Sequence, residues 1–329
     1  MIKIEIVTTA NEKLKESGFG SLNSCNNILD SIIKMGYNVK LNIALIENAL
    51  YKIVQRKPDL VVLAVKYISC NNGNDIWLSN YFDKYSINYT GSSANILKFD
   101  SDKVYAKEYL KNRDIKTADF FTAIPNEYKF VNELPIAFPL FLKPIDSANG
   151  NGIDDFSFVT NFVEFNSKVS SLYDTFKLPI LVEDYLDGRE FTVSIIETTN
   201  KELIISPIEI IPLMSTNGLR ILWEKAKKDD DEELIEIIDT NIKLELIKLS
   251  SKCFKELGVR DYGRIDIKTN KKGEYFFMEA NLIPGMNKGS SYFSQAYKIN
   301  NSLTYDKVVE LLISKGLDRI SWYINNFRI

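Results

Sequence analysis

The chain has 329 residues, 45% hydrophobic and 26% charged, enough apolar material for one or more full cores. Its net charge of -3, with both signs mixed along the chain, offers no electrostatic footprint for nucleic acid or an anionic membrane surface and points to small-molecule partners. The absence of histidine excludes Ser-His-Asp and Cys-His hydrolases, histidine-built zinc sites and any imidazole base, leaving carboxylates, lysines, arginines and a cofactor to do the chemistry.

The opening run Met1 to Thr9 is β-type and carries Lys3 and Glu5, unlike a signal peptide. Ile2 to Val7 predicts a strand, and Ser21 to Met35 places Leu22, Ile28, Leu29, Ile32 and Ile33 at helical spacing before Gly36 ends the helix. A strand at Val39 to Ile43, a helix at Glu47 to Gln55 and a strand at Leu60 to Val65 continue the alternation of a doubly wound parallel sheet, assigned to residues 1–95. No apolar run approaches the roughly 20 residues that span a bilayer. Three widely spaced cysteines, Cys25, Cys70 and Cys253, fit a reducing compartment, and the expectation is a cytoplasmic protein.

A second unit, 96–178, opens with Ser101 as the cap of a helix over Lys103 to Lys111. Two β-type runs follow, Phe138 to Leu142 and Phe156 to Val159, with Asn149-Gly150-Asn151-Gly152 between them, a spacing that fits a hairpin. A third unit, 179–329, begins at Ile180 to Glu183. It contains a strand at Glu190 to Ile196, a long helical stretch from Asp230 to Leu257, and strands at Arg264 to Lys268 and Tyr275 to Ala280. The polar run Glu224 to Glu233 has the character of a loop leading into that helix.

The strongest chemical signal is Gly263-Arg264-Ile265-Asp266 followed by Glu279-Ala280-Asn281 and Pro284-Gly285-Met286. Strand alternation puts Arg264 and Asp266 on one face of the first strand, and Glu279 and Asn281 on one face of the second. Two carboxylates and an amide make a hard oxygen site suited to Mg²⁺ with bound phosphates, so Asp266, Glu279 and Asn281 are the candidate metal ligands. Polar residues facing solvent across an ordinary strand pair give the same pattern. The Asn149–Gly152 turn can turn backbone N–H groups toward phosphates, although most Asn-Gly turns bind nothing. Lys103 alone reads as a solvated helix position. Glu183 to Glu190, with Gly188 inside, resembles a crossover whose backbone can meet an adenine edge while Glu190 accepts ribose hydroxyls.

Taken in order, these motifs resemble the D-alanine–D-alanine ligase family of ATP-grasp enzymes over nearly the whole chain. The resemblance rests on Ser21-Leu22-Asn23-Ser24, Tyr89-Thr90-Gly91-Ser92, Asp102-Lys103, Phe141-Leu142-Lys143-Pro144, Leu181-Val182-Glu183, Gly188-Arg189-Glu190-Phe191-Thr192-Val193 and the Arg264 to Met286 motifs. It implies a three-domain α/β architecture, α+β in the ATP-grasp part, and an ATP- and Mg²⁺-dependent carboxylate–amine ligase working through an acyl phosphate, with Mn²⁺ as an alternative metal. Lys103, Lys143, Asn149 and Gly150 would contact ATP phosphates, Glu183, Asp184, Tyr185 and Leu186 would hold adenine, and Glu190 the ribose. Arg264 would stabilise the transferred phosphate, Gly285 and Ser290 would lie beside the second substrate, and Met214 to Lys228 would form a lid with Lys227 on a phosphate. The partners implied are a small carboxylic acid and an amino acid or other amine, and the resemblance implies a homodimer. Phosphoryl transfer to a carboxylate needs positioning and charge neutralisation, which the histidine-free inventory supplies.

Departures from the family pattern cluster at the first-substrate pocket. Phe19 stands where the family has a glutamate, Ser69-Cys70 where it has histidine-glycine, Asn72 to Asp75 in place of Gly-Glu-Asp-Gly, Asn149 for a serine and Lys228 for a tyrosine. An ammonium buried without a partner is penalised, so the activated acid is expected not to be D-alanine. The alternatives are an ordinary cell-wall D-alanine–D-alanine ligase and a non-catalytic ATP-binding protein. A nicotinamide oxidoreductase is disfavoured because the first strand lacks a Gly-x-Gly-x-x-Gly turn.

Overall fold

The computed structural model describes residues 2–9, 18–69, 75–146, 150–212 and 232–327, with side chains described through residue 319. β1 (Lys3–Thr8), β2 (Asn38–Ile43) and β3 (Leu60–Leu63) form a parallel sheet in the order β2-β1-β3, connected through α1 (Leu22–Lys34) and α2 (Glu47–Gln55). Central β1 is covered on both faces, which is why Ile4, Ile6 and Val7 do not alternate with polar residues. Glu5 is the exception. It is buried, and the Arg56 Nε and Nη2 atoms donate to its two oxygens at 2.6 and 2.9 Å. α1 starts where the Ser21 hydroxyl accepts from the Ser24 N–H, and it buries Cys25, Ile28 and Ile32 on one face.

A short hairpin of β4 (Tyr67–Ser69) and β5 (Asp75–Trp77) leads to α3 (Leu78–Lys84), α4 (Ala94–Ser101) and α5 (Lys103–Lys111). The cap of α5 is Asp102, whose carboxylate accepts from the Tyr105 N–H at 2.9 Å, one residue later than expected. β6 (Phe120–Ala123), β7 (Leu140–Pro144), β8 (Phe158–Val159) and β9 (Ile180–Asp184) make an antiparallel sheet in the order β6-β9-β7-β8. Leu140, Leu142 and Val182 pack from it against Phe165 and Val169 of α6 (Phe162–Phe176) in a separate core. An antiparallel β7–β8 pairing matches the expected hairpin. The expected division at residue 178, however, falls between α6 and β9 and so cuts this sheet, and the one at 95 falls within α4.

β10 (Glu190–Glu197), β11 (Leu203–Ile211), β12 (Glu233–Glu236), β13 (Tyr262–Thr269) and β14 (Tyr275–Asn281) form a second antiparallel sheet in the order β12-β11-β10-β13-β14. The expected helix from Asp230 to Leu257 is corrected here. Glu233 to Glu236 pair as a strand with β11, and α7 (Thr240–Glu256) begins only after Asp239, whose carboxylate caps the N–H groups of Asn241 and Ile242 at 2.8 and 3.2 Å. Pairing with β11 and a strong cap further along outweigh the acidic run as a helix signal.

α8 (Tyr292–Asn301) and α9 (Tyr305–Phe327) complete the chain, and α9 returns to the first unit. Asp306 accepts from Ser31 and Lys34 of α1 at 2.7 and 2.8 Å, and Arg319 pairs with fully buried Asp261 at 2.5 Å while donating to the Tyr89 carbonyl. One continuous core joins the parallel sheet, α9 and the five-stranded sheet. No helix among the described residues is long and apolar enough to cross a membrane.

Candidate active site

The two antiparallel sheets face each other across a cleft of about 710 Å³, counting the space open to solvent. β7 sends Leu140 and Leu142 into its core, so Phe141 and Lys143 turn to the cleft by alternation. Opposite Phe141 in register stands Glu183 of β9, 1% exposed. Its oxygens meet Lys107 of α5 at 2.5 Å and Lys143 at 2.6 Å. Burial alone would raise the Glu183 carboxyl, but the two ammonium groups outweigh it and hold its pKa at about 2. Burial lowers Lys143, yet Glu183 and Glu279 reverse that and raise it overall. Lys143 therefore remains a cation at the cleft wall.

β13 and β14 set Asp266 directly opposite Glu279 and Arg264 opposite Asn281. Asp266 accepts from Thr192 at 2.6 Å, from Arg264 Nε and Nη2 at 3.0 Å each, and from the Asn281 amide at 3.0 Å. Lys103, at the first turn of α5 and 7% exposed rather than solvated, places its Nζ 3.7 Å from Glu279. Burial lowers its pKa, with Glu279 opposing. Among the described residues no three His, Cys, Asp or Glu side chains converge to hold a metal alone. Two opposed carboxylates with an amide beside them still suit a hard divalent cation whose remaining ligands come from phosphate and water, so the residues present fit Mg²⁺ or Mn²⁺.

Along the cleft wall, Asp184, Tyr185 and Leu186 run as a strip, with the Tyr185 ring packed edge-on to Phe158 at 4.6 Å. Glu190 follows on β10 and pairs with Lys268 at 3.2 Å. Gly188 makes the crossover possible. A Cβ there would come within 2.5 Å of the Thr269 carbonyl oxygen, to which the Gly188 N–H already donates at 2.9 Å. Aromatic and aliphatic walls with a carboxylate beside them can take a flat heterocycle and an attached sugar, while the lysines lining the same cleft can take phosphates.

Gly285 and Ser290 lie in the loop after β14, and Ser290 is partly exposed. That loop is fixed from several sides. Ser291 donates to the Gly285 carbonyl, the Met286 N–H donates to the Phe19 carbonyl at 2.8 Å, and Asp100 accepts from the Leu282 N–H at 2.5 Å while pairing with Lys66 at 2.6 Å. Gly150 has φ +72°, and its carbonyl accepts from the Ile153 N–H at 2.9 Å. Glycine at 152 serves packing as well as any ligand, since a Cβ would lie 2.7 Å from Pro144 and 2.8 Å from Phe176. Asn149, Lys227, Lys228 and the Met214–Lys228 lid lie outside the described residues, as do Cys70 and Asn72 to Asn74.

Phe19 lines a small apolar cavity of the core, not the cleft between the antiparallel sheets. It is 1% exposed, with its ring 6.4 Å from that of Tyr262 in the core, so its side chain answers to packing. Ser69 is likewise engaged, donating to Asp75 at 2.8 Å across the β4–β5 hairpin. Sequence reasoning missed Lys107, Lys66, Asp100 and Lys268. For Lys107 a signal existed, because it lies four residues after Lys103 and so on the same helical face.

A family model described as "D-ala D-ala ligase C-terminus" matches residues 109–314. The D-alanine–D-alanine ligase of Aquifex aeolicus is 27% identical over 263 residues, covering 80% of this chain and 84% of that protein. The Petrotoga mobilis enzyme of the same name is 25% identical, covering 97% and 99%. Among solved structures, the Bacillus anthracis D-alanine–D-alanine ligase complexed with ATP superposes with a TM-score of 0.74 at 21% identity, covering 97% and 98%. The VanG D-Ala:D-Ser ligase from Enterococcus faecalis superposes at 0.72 and 18% identity, covering 96% and 99%. The fold is therefore shared along the whole length, and since the family model takes in most of the residues that build the cleft, the chain belongs to the D-alanine–D-alanine ligase family of ATP-grasp C–N ligases.

Proposed function

We propose that the protein activates a small carboxylic acid with ATP and passes the acyl group to an amine, and that the activated acid is not D-alanine. The observation that carries the ligation reading is the charge arrangement of the cleft. The side chains of Lys143 and Lys103, both buried, stand beside the opposed carboxylates Asp266 and Glu279, and the Tyr185–Leu186 strip lines the same cleft. Asp266, Glu279 and Asn281 would hold Mg²⁺, which when bound neutralises charge on the phosphates. Lys143, Lys103 and Gly150 orient the phosphate chain, Glu183 to Leu186 receive adenine, and Glu190 the ribose. Arg264 faces the transferred phosphoryl group, and Gly285 and Ser290 border the second substrate. Positioning and charge neutralisation account for most of phosphoryl-transfer catalysis, and these side chains supply both.

The choice of acid rests on the departures at Ser69, Cys70, Asn72 to Asp75, Asn149 and Lys228. A second reading, a cell-wall D-alanine–D-alanine ligase, is favoured by buried Phe19, whose identity carries no information about an ammonium, and by the names of the relatives. The test is Mg²⁺-dependent ATP cleavage across a panel of carboxylic acids and amines, D-alanine included, with products identified by mass spectrometry. Amide formed from one acid other than D-alanine is the expected result. Steady dipeptide formation from D-alanine alone overturns the altered-acid reading, and ATP binding without turnover on any pair overturns ligation.

A further inference from the structure

Glu232 precedes β12 and sits against the far side of the Arg264 site through Tyr292. The Tyr292 hydroxyl donates to Glu232 Oε1, and the Arg264 guanidinium carbon lies 5.3 Å from the Tyr292 ring centroid. Tyr292 is 9% exposed, and burial followed by the bond to Glu232 pushes its phenol well above the ordinary range. It therefore remains a hydrogen-bond donor across the working pH range. Oε1 is thereby fixed, whereas Oε2 of the same carboxylate is buried and has no hydrogen-bond partner among the described residues. A buried acceptor without a donor is costly, more so when charged, and its retention calls for a ligand or a mechanistic use.

A cationic donor suits this acceptor, which Tyr292 holds beside Arg264 and two residues along the chain from Ser290. We infer that Glu232 is the subsite for the ammonium of the second substrate and the acceptor of its proton, with Tyr292 as the residue that aims it. This rests on the ligase reading above. An amine substrate arrives as R–NH₃⁺ and cannot attack until it loses a proton. Transfer of one proton to Glu232 Oε2 leaves a neutral amine. Its lone pair forms the C–N bond as the acyl C–O bond to phosphate breaks, and phosphate departs with that electron pair and the second N–H proton.

Hydroxylamine separates this role from a structural one, because it is neutral near pH 7 and needs neither an ammonium subsite nor a proton acceptor before attack. The full chain, E232Q and Y292F are assayed with ATP, Mg²⁺ and the acid panel, once with hydroxylamine and once with α-amino acids. The expected result is that E232Q keeps wild-type hydroxamate formation while kcat/KM for the amino acid falls about 100-fold or more, with Y292F in between. Equal loss of both activities in E232Q, or loss of neither, overturns the inference while leaving ligation intact. Absence of hydroxamate from the wild type with every acid overturns the ligase reading and this inference with it.

Discussion

Replacing Lys107 with methionine removes a charge at the base of the cleft while nearly keeping its volume. Lys107 is 0% exposed, stands 2.5 Å from Glu183, and donates to the Phe277 carbonyl of β14 at 3.4 Å, so it ties α5 to both antiparallel sheets. Breaking a buried pair costs about 3–5 kcal/mol. Because Lys143 would still neutralise Glu183, the lower end, about 3 kcal/mol, is expected, or roughly a 4 °C fall in melting temperature for a chain of 329 residues. Lys107 and Lys143 together hold the Glu183 carboxyl at about 2, below its ordinary 4.5. The folded carboxyl binds fewer protons than the unfolded one between those values, so this contribution is complete above pH 4.5 and is lost as pH falls toward 2. Thermal unfolding of wild type and K107M from neutral to acid pH is the assay. The variant should be less stable near pH 7, and the gap should narrow as acid protonates Glu183. The control is K111M, one turn along, whose pair with Asp119 is 57% and 72% exposed and worth less than about 1 kcal/mol. Equal shifts for K107M and K111M, or a gap independent of pH, would refute the reasoning.

Gly188→Ala should destabilise by about 1–3 kcal/mol through the clash with Thr269 and weaken ATP binding with it, as read by unfolding and nucleotide titration; an unchanged melting temperature would count against the close-approach argument. D266N and E279Q should each cut Mg²⁺-dependent ATP cleavage on the order of 100-fold or more, and wild-type turnover in both would remove them from the metal site. Phe19→Ala should cost about 3–5 kcal/mol of stability, as for any large core truncation, without changing which acid is preferred in the panel. A switch in acid preference at wild-type stability would return Phe19 to the pocket.

The alternation of the first unit was legible because its strands are short apolar runs and its helices amphipathic; α2 was expected over the residues it occupies, and β1, β2 and α1 to within one or two at each end. β12 was not legible. A four-residue edge strand carries no periodic signal, and the acids beside it imitate a helix start. The site divides in the same way. Lys143, Glu183, Glu190, Asp266 and Glu279 come from motifs with local patterns, and the structure brings all five to one cleft. Lys107 shares a helical face with Lys103, but the Lys66–Asp100 pair is joined to the site only by contacts distant in sequence, which no local window contains.

The return of α9 to the start of the chain bears on how the protein is made. β3 packs against α9 so closely that a Cβ at Gly316 would lie 2.9 Å from Leu60, and α1 is anchored through Asp306. On the ribosome, β1 to β3 emerge first, yet the cover for that sheet is translated last, leaving its apolar face to wait for tens of seconds at about 5–20 residues per second. The sheet β6-β9-β7-β8, with its own core closed by α6, has no such delay. Nascent chains should therefore acquire protease resistance in the middle before they acquire it at the beginning, and chaperone demand should fall on the first-made sheet.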